Sequence, residues 1–173
     1  MFLKQLTKNI TMKIWILLPA ALILVALTSG CVTRNAVELV FTSDDLESIG
    51  YNVLWVATFT DNVYKSFEGF ESAAQREYQL VDSNRKPEGQ IIFLVIVFDS
   101  EANAGKFFPV YAEQQKSCPQ SPFGDEGYCC EVEGRYDCTA RYGKHVVFLR
   151  YDLPGRTLKD AEDLMEIFEN KIG

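Results

Sequence analysis

QIIFLVIVF, residues 90–98, is the stretch on which the fold turns. It is near-continuously apolar and carries five β-branched residues, and it is too short for a buried helix with turn signals on both sides. Such a run reads as a central β-strand covered on both faces. Outward from it toward the C-terminus, Asp99-Ser-Glu-Ala opens a helix that continues through Ala104, Phe107, Phe108 and Tyr111 at helical spacing. Pro109 within that pattern is expected to kink or restart the helix, because it lacks an N–H and crowds the preceding turn.

Toward the N-terminus the strand is preceded by a turn, SNRKPEG (83–89). Before that lies GFESAAQREYQLVD (69–82), which is ambiguous between strand and helix. Ala74, Arg76, Tyr78 and Leu80 follow a loose two-residue period, and the segment is read as a strand. Tyr51 to Phe59 is dense in β-branched and aromatic residues and forms another. Ser43-Asp-Asp-Leu-Glu-Ser reads as a capped helical turn. Downstream, His145 to Tyr151 is a further strand. Gly155 and Thr157 introduce a last helix with an apolar face of Leu158, Ala161, Leu164/Met165, Phe168 and Ile172. Its acids Asp160, Glu162 and Asp163 crowd the first turns, where the helix dipole favours them.

Four cysteines, Cys118, Cys129, Cys130 and Cys138, lie in the second half of the chain. The spacing C-x10-C-C-x7-C lacks the paired C-x-x-C ligands of a zinc or iron–sulfur site, so no metal is expected and two disulfides are. Tyr128-Cys-Cys-Glu-Val and Arg135-Tyr-Asp-Cys-Thr read as two strands joined at Glu133-Gly134. Counting back from a two-residue turn sets Cys129 opposite Cys138 in a non-hydrogen-bonded pair, with Cα atoms about 4.5 Å apart. Cys130 faces the other side and is left for Cys118. The favoured connectivity is 129–138 with 118–130, and 118–129 with 130–138 is the alternative. The whole reads as an α+β domain: a mostly antiparallel sheet with two main helices packed against it and a disulfide-stapled hairpin.

The chain begins differently. In MKIWILLPAALILVALTSGC (12–31), Lys13 precedes fourteen uncharged residues and then small ones, the order of an export signal. Fourteen helical residues reach only about 21 Å, short of a hydrocarbon core of roughly 30 Å. Thr28-Ser29-Gly30-Cys31 resembles the lipobox of exported lipoproteins, with Thr28 where Leu is commonest. The resemblance implies that a diacylglyceryl group is attached to the Cys31 thiol and that the preceding peptide is removed. The alternative is an uncleaved transmembrane anchor. Residues 1–30 are accordingly read as signal peptide or membrane segment, 31–43 as a tether and 44–173 as a single extracytoplasmic domain.

The 173-residue chain carries a net charge of −7, and the only charged residues among 1–30 are Lys4, Lys8 and Lys13, so the part beyond them is more acidic still. A surface of that sign is repelled by nucleic acid and by anionic headgroups. The expected attachment to the membrane is therefore the N-terminal lipid, and the expected partner a surface protein or a small molecule. GFESAAQREYQ (69–79), IIFLVIVFDSEANAGKFF (91–108) and GDEG…ARYGKHVVFLRY (124–151) together resemble small extracytoplasmic lipoprotein domains of archaea and bacteria. That class supplies no catalytic residue to carry across.

Chemistry is sparse. The sole histidine, His145, reads as an exposed strand residue, with no marked nucleophile or carboxylate to complete a catalytic set. Phe123-Gly-Asp-Glu-Gly127 lacks the spaced acids of a calcium loop and the lysine of a phosphate loop. No cofactor is expected. Asp125, Thr139 and Arg141, beside the cysteines, form the candidate ligand region. Two function classes remain: a non-enzymatic binding, sensing or envelope-assembly module, and a small hydrolase or carbohydrate-active domain. A deep pocket with a perturbed carboxylate would favour the enzyme; a broad apolar patch would favour a protein partner.

Overall fold

In the computed structural model, residues 34–60, 63–121 and 123–173 are described. The fold is a six-stranded, wholly antiparallel sheet, built from β1 (Asn52–Thr60), β2 (Phe70–Val81), β3 (Pro87–Phe98), β4 (Glu126–Val132), β5 (Arg135–Tyr142) and β6 (His145–Asp152), in the order β1-β2-β3-β6-β5-β4. Helices α1 (Ala36–Leu39), α2 (Ser43–Ser48), α3 (Glu101–Tyr111) and α4 (Leu158–Ile172) complete an α+β architecture. Residues 34–173 form one compact unit.

The strand at 90–98 lies third of six and is buried on both faces, as its unbroken apolar run requires. Its alternate residues enter two separate cores. Ile91, Phe93, Val95 and Val97 pack with α1, α2 and α4. Leu94, Ile96 and Phe98 pack under α3 against Ala104, Phe107 and Phe108. Each fully buried side chain of this size contributes roughly 1.5–3 kcal/mol, which makes β3 the best-anchored element. The ambiguous segment 69–82 is strand β2, twelve residues paired with β3 from Phe70↔Phe98 to Val81↔Pro87. Partner strands on both sides decide what its loose periodicity could not.

Residues assigned to a tether by sequence are partly core. Ala36, Leu39, Val40 and Phe41 are all buried, and the Phe41 ring stacks on Phe93 at 4.0 Å between centroids. The Phe41 carbonyl accepts from the Tyr78 hydroxyl and the Arg76 guanidinium, so backbone and side chain are both held. Helix α2 is capped one residue earlier than expected. The Thr42 hydroxyl accepts from Asp45 N at 3.1 Å while the Asp45 carboxylate accepts from Thr42 N, a reciprocal box that satisfies two orphan donors.

Helix α3 starts at the Ser100 cap and runs through Pro109 without restarting, ending at Tyr111 before a short 3-10 turn, Glu113–Gln115. Proline near a helix's last turn forfeits only the bond to the carbonyl four residues back, and α3 stops before a further cost accrues. In α4 both the backbone N–H and the hydroxyl of Thr157 donate to the Asp160 carboxylate, and Ala161, Leu164, Met165 and Phe168 are buried. The β4–β5 turn is Glu133-Gly134, with φ of 54° and 82°, the left-handed pair that a two-residue hairpin demands. It sets Cys129 opposite Cys138.

Candidate functional site

The β5–β6 hairpin turns at Gly143-Lys144 and brings its tip between the start of α3 and the end of α4. Between them opens a cleft of about 610 Å³, lined by Asp99, Glu101, Asp125, Tyr142, Lys144, His145 and Glu169 among others. It is broad and open to solvent rather than enclosed. Four carboxylates face one lysine, and that lysine lies 3.7 Å from Glu71, outside the lining set.

Each wall follows from local sequence. Asp99 precedes the α3 cap, and its Oδ1 accepts from Asn103 Nδ2 at 2.9 Å and from the Ser100 hydroxyl at 2.8 Å. These bonds, that from Asn103 foremost, hold its carboxyl below the usual range, so Asp99 is ionised at neutral pH. Gly69 makes this possible, since a Cβ there would stand 2.4 Å from Asp99 Oδ1. Asp125 sits on the loop before β4, where its Oδ2 accepts from Gly143 N at 2.7 Å and from Arg141 Nη1 at 3.1 Å. It thereby ties the loop to the hairpin tip.

Tyr142 forms the floor. It is only 7% exposed, and its hydroxyl is buried without a hydrogen-bond partner of normal geometry. Burial, reinforced by the Glu169 carboxylate, pushes its ionisation far up, so the group is a neutral phenol. His145 is half-buried rather than exposed. Its Nδ1 lies 3.2 Å from the Tyr142 carbonyl and its ring meets Phe168 edge-on at 6.3 Å. Burial lowers its pKa, with the Lys144 charge acting the same way. The helix α4 that the hairpin packs against, invisible in a local strand pattern, accounts for the difference.

The residues singled out from sequence divide. Asp125 and Arg141 are brought together, with Asp125 at the cleft. Thr139 is 1% exposed on the sheet face beneath α3 and is out of reach of a ligand. The structure joins Cys118 to Cys130 and Cys129 to Cys138, with Cα separations of 5.2 and 4.1 Å, the connectivity that the hairpin count gives. Cys31 lies outside the described residues. Sequence reasoning missed Asp99, Glu101, Tyr142 and Glu169, which come from the β3–α3 connection and from α3, β5 and α4. The one local signal was Asp-Ser-Glu at a helix start, which reads equally as ordinary capping. Among the described residues no group of three or more His, Cys, Asp or Glu is arranged to hold a metal, and no helix is long and apolar enough to cross a membrane.

No family model matches the chain, and no curated protein matches it. Among solved structures the fold is similar to the extracellular domain of PknH from Mycobacterium tuberculosis. The TM-score is 0.56 at 11% identity, over 79% of this chain and 94% of that one. At that identity the likeness is one of fold.

Proposed function

We propose that this chain is an extracytoplasmic binding module, held to the membrane by a lipid on Cys31, whose cleft takes a small cationic ligand such as an amine or guanidinium. The observation that carries the ligand class is the rim of four carboxylates set against one lysine, above the buried Tyr142 hydroxyl that lies beside Glu169. A cation seated there pairs with the carboxylates and can donate to the Tyr142 hydroxyl oxygen. Asp99, Glu101, Asp125 and Glu169 supply negative potential, and the C-terminal end of α4 adds the negative pole of its dipole.

Binding is favoured over catalysis by what surrounds the cleft. The Asp99 carboxyl is held below its usual range by its hydrogen bonds, the opposite of what a general acid requires. The Ser100 hydroxyl is engaged with Asp99 and Asn103, and the His145 Nδ1 with a backbone carbonyl. Export is supported by the leader pattern, by the TSGC sequence, and by two disulfides, which persist in oxidising surroundings. The similarity of fold to an extracellular domain agrees with that placement.

Isothermal titration of the full chain in detergent with spermidine and with arginine tests the ligand class. The expected result is saturable binding that weakens at least tenfold in Glu169→Gln and in Tyr142→Phe, and that falls steeply with added salt. Absence of binding by either compound, or equal binding by both variants, contradicts it.

A further inference from the structure

The two edges of the sheet are treated differently. At the β4 edge, Gln120 bridges to Tyr128, Ser121 N donates to the Gly127 carbonyl at 3.0 Å, and Cys129 N donates to the Pro119 carbonyl at 3.2 Å. The Cys118–Cys130 bridge fixes that covering loop in place. At the opposite edge, β1 has β2 on one side and no strand on the other among the described residues. Exposed edges are ordinarily guarded by lysine, proline or brevity. β1 has none of these: NVLWVATFT is nine residues long and carries no charge, in a chain of which 24% is charged. Leu54, Trp55, Val56 and Phe59 are 43%, 46%, 37% and 48% exposed.

We propose that β1 is the seat of a twofold homodimer, pairing antiparallel with the same strand of a second copy about Ala57. Register and charge together select this occupant. A twofold axis normal to the sheet keeps each side chain on its own face, so self-pairing must centre on a residue, and residue i then opposes j and j opposes i. Pairing with β2 places Trp55, Ala57 and Phe59 opposite Gln79, Glu77 and Gln75, all three on one face. Centred on Ala57, Trp55 meets Phe59 of the partner subunit and Phe59 meets Trp55 of the partner subunit, with the small alanine between. Aromatic cross-strand pairs of this kind are among the most stabilising. Centring on Val56, the midpoint of the strand, sets Trp55 against Ala57 and Phe59 against Val53 and so leaves the two rings unpaired, and centring on Trp55 runs into the β1 bulge and sets Phe59 against Tyr51, which is buried within its own core.

Charge points the same way. On a chain of net charge −7, a second copy is repelled over most approaches, and an uncharged strand is where two copies meet without like charges opposed. A strand-to-strand contact is small beside the roughly 1,600 Å² of a stable complex, so the dimer is concentration-dependent.

The test is cysteine cross-linking of the full chain in detergent. Ala57→Cys under mild oxidation is expected to give a reducible dimer well above the level of the parent chain. Val110→Cys, on the outer face of α3 at 64% exposure, is not. Adding Phe59→Lys to Ala57→Cys is expected to cut the dimer at least fivefold. Sedimentation of the parent and of Phe59→Lys alone, both shown folded by thermal melting, covers the case in which the cysteine variant misfolds: twice the chain mass for the parent, one chain mass for the variant. Three results overturn the proposal. Equal cross-linking at 57 and 110 marks random collision. A monomer with a reactive thiol at 57 marks an edge left for a different protein. A monomer with an unreactive thiol marks an edge covered by the chain's own residues.

Discussion

His145 shows how a single residue takes its character from an element far along the chain. Phe168 of α4 and the Tyr142 carbonyl enclose it, and burial lowers its pKa. A histidine whose folded pKa lies below its unfolded value contributes full stability above about pH 6.5, and that contribution is lost as pH falls through the folded pKa. Urea midpoints measured from pH 7.5 to 5 should therefore decline in the parent and decline less in His145→Gln; parallel curves would deny the burial any role. Asp137 is the second telling residue. It accepts from Arg150 Nε and Nη2 at 2.8 and 3.1 Å while lying 3.7 Å from Arg135, with its own side chain 13% exposed. Asp137→Ala leaves two guanidinium groups crowded without their carboxylate, and a loss of about 1–3 kcal/mol is expected in denaturant titration. Neither environment could be read from the sequence. Alternation along β5 and β6 gives a side chain's face but not what lies across from it, which is why Thr139 also looked accessible.

At the scale of elements, strands and turns were legible where the backbone leaves little choice. The run at 90–98 could only be a doubly covered strand. Glu133-Gly134 could close a two-residue hairpin, and the cysteine register followed by counting. Each bridge closes a loop of 9 or 12 residues by sequence separation, so removing either should cost roughly 2–3 kcal/mol. Thermal melting of Cys118→Ser/Cys130→Ser and of Cys129→Ser/Cys138→Ser should show similar losses from the two pairs, since the loops are similar in length. Less legible was the segment 36–41, too brief to show a period. Its apolar residues gain meaning only when Phe41 meets Phe93, which meets Phe168 in turn at 5.5 Å. Phe41→Ala should destabilise by about 3–5 kcal/mol, as for other buried aromatics; a loss below about 1 kcal/mol would return the segment to the role of a tether.

Over the whole molecule, the sheet separates the features that matter by position. The cleft is formed at the β5–β6 hairpin tip, where α3 begins and α4 ends, the stapled hairpin guards one edge, and the uncharged strand lies at the other. Convergence of distant acids at the cleft was beyond sequence reading because Asp99, Asp125 and Glu169 are separated by whole elements. Residues 14–31, by contrast, carry their pattern locally, as fourteen uncharged residues followed by small ones and a cysteine, and the export proposed from it needs no distant element. Delivery of residues 31–173 across the membrane into oxidising surroundings is the central proposal. Intact-mass analysis of the protein extracted from its native membrane, with and without reduction, tests this directly. The expected chain starts at Cys31, carries a diacylglyceryl group there, and takes up four hydrogens on reduction, two for each of its two bridges. A chain that retains residues 1–30, carries no lipid and shows all five thiols free would contradict it.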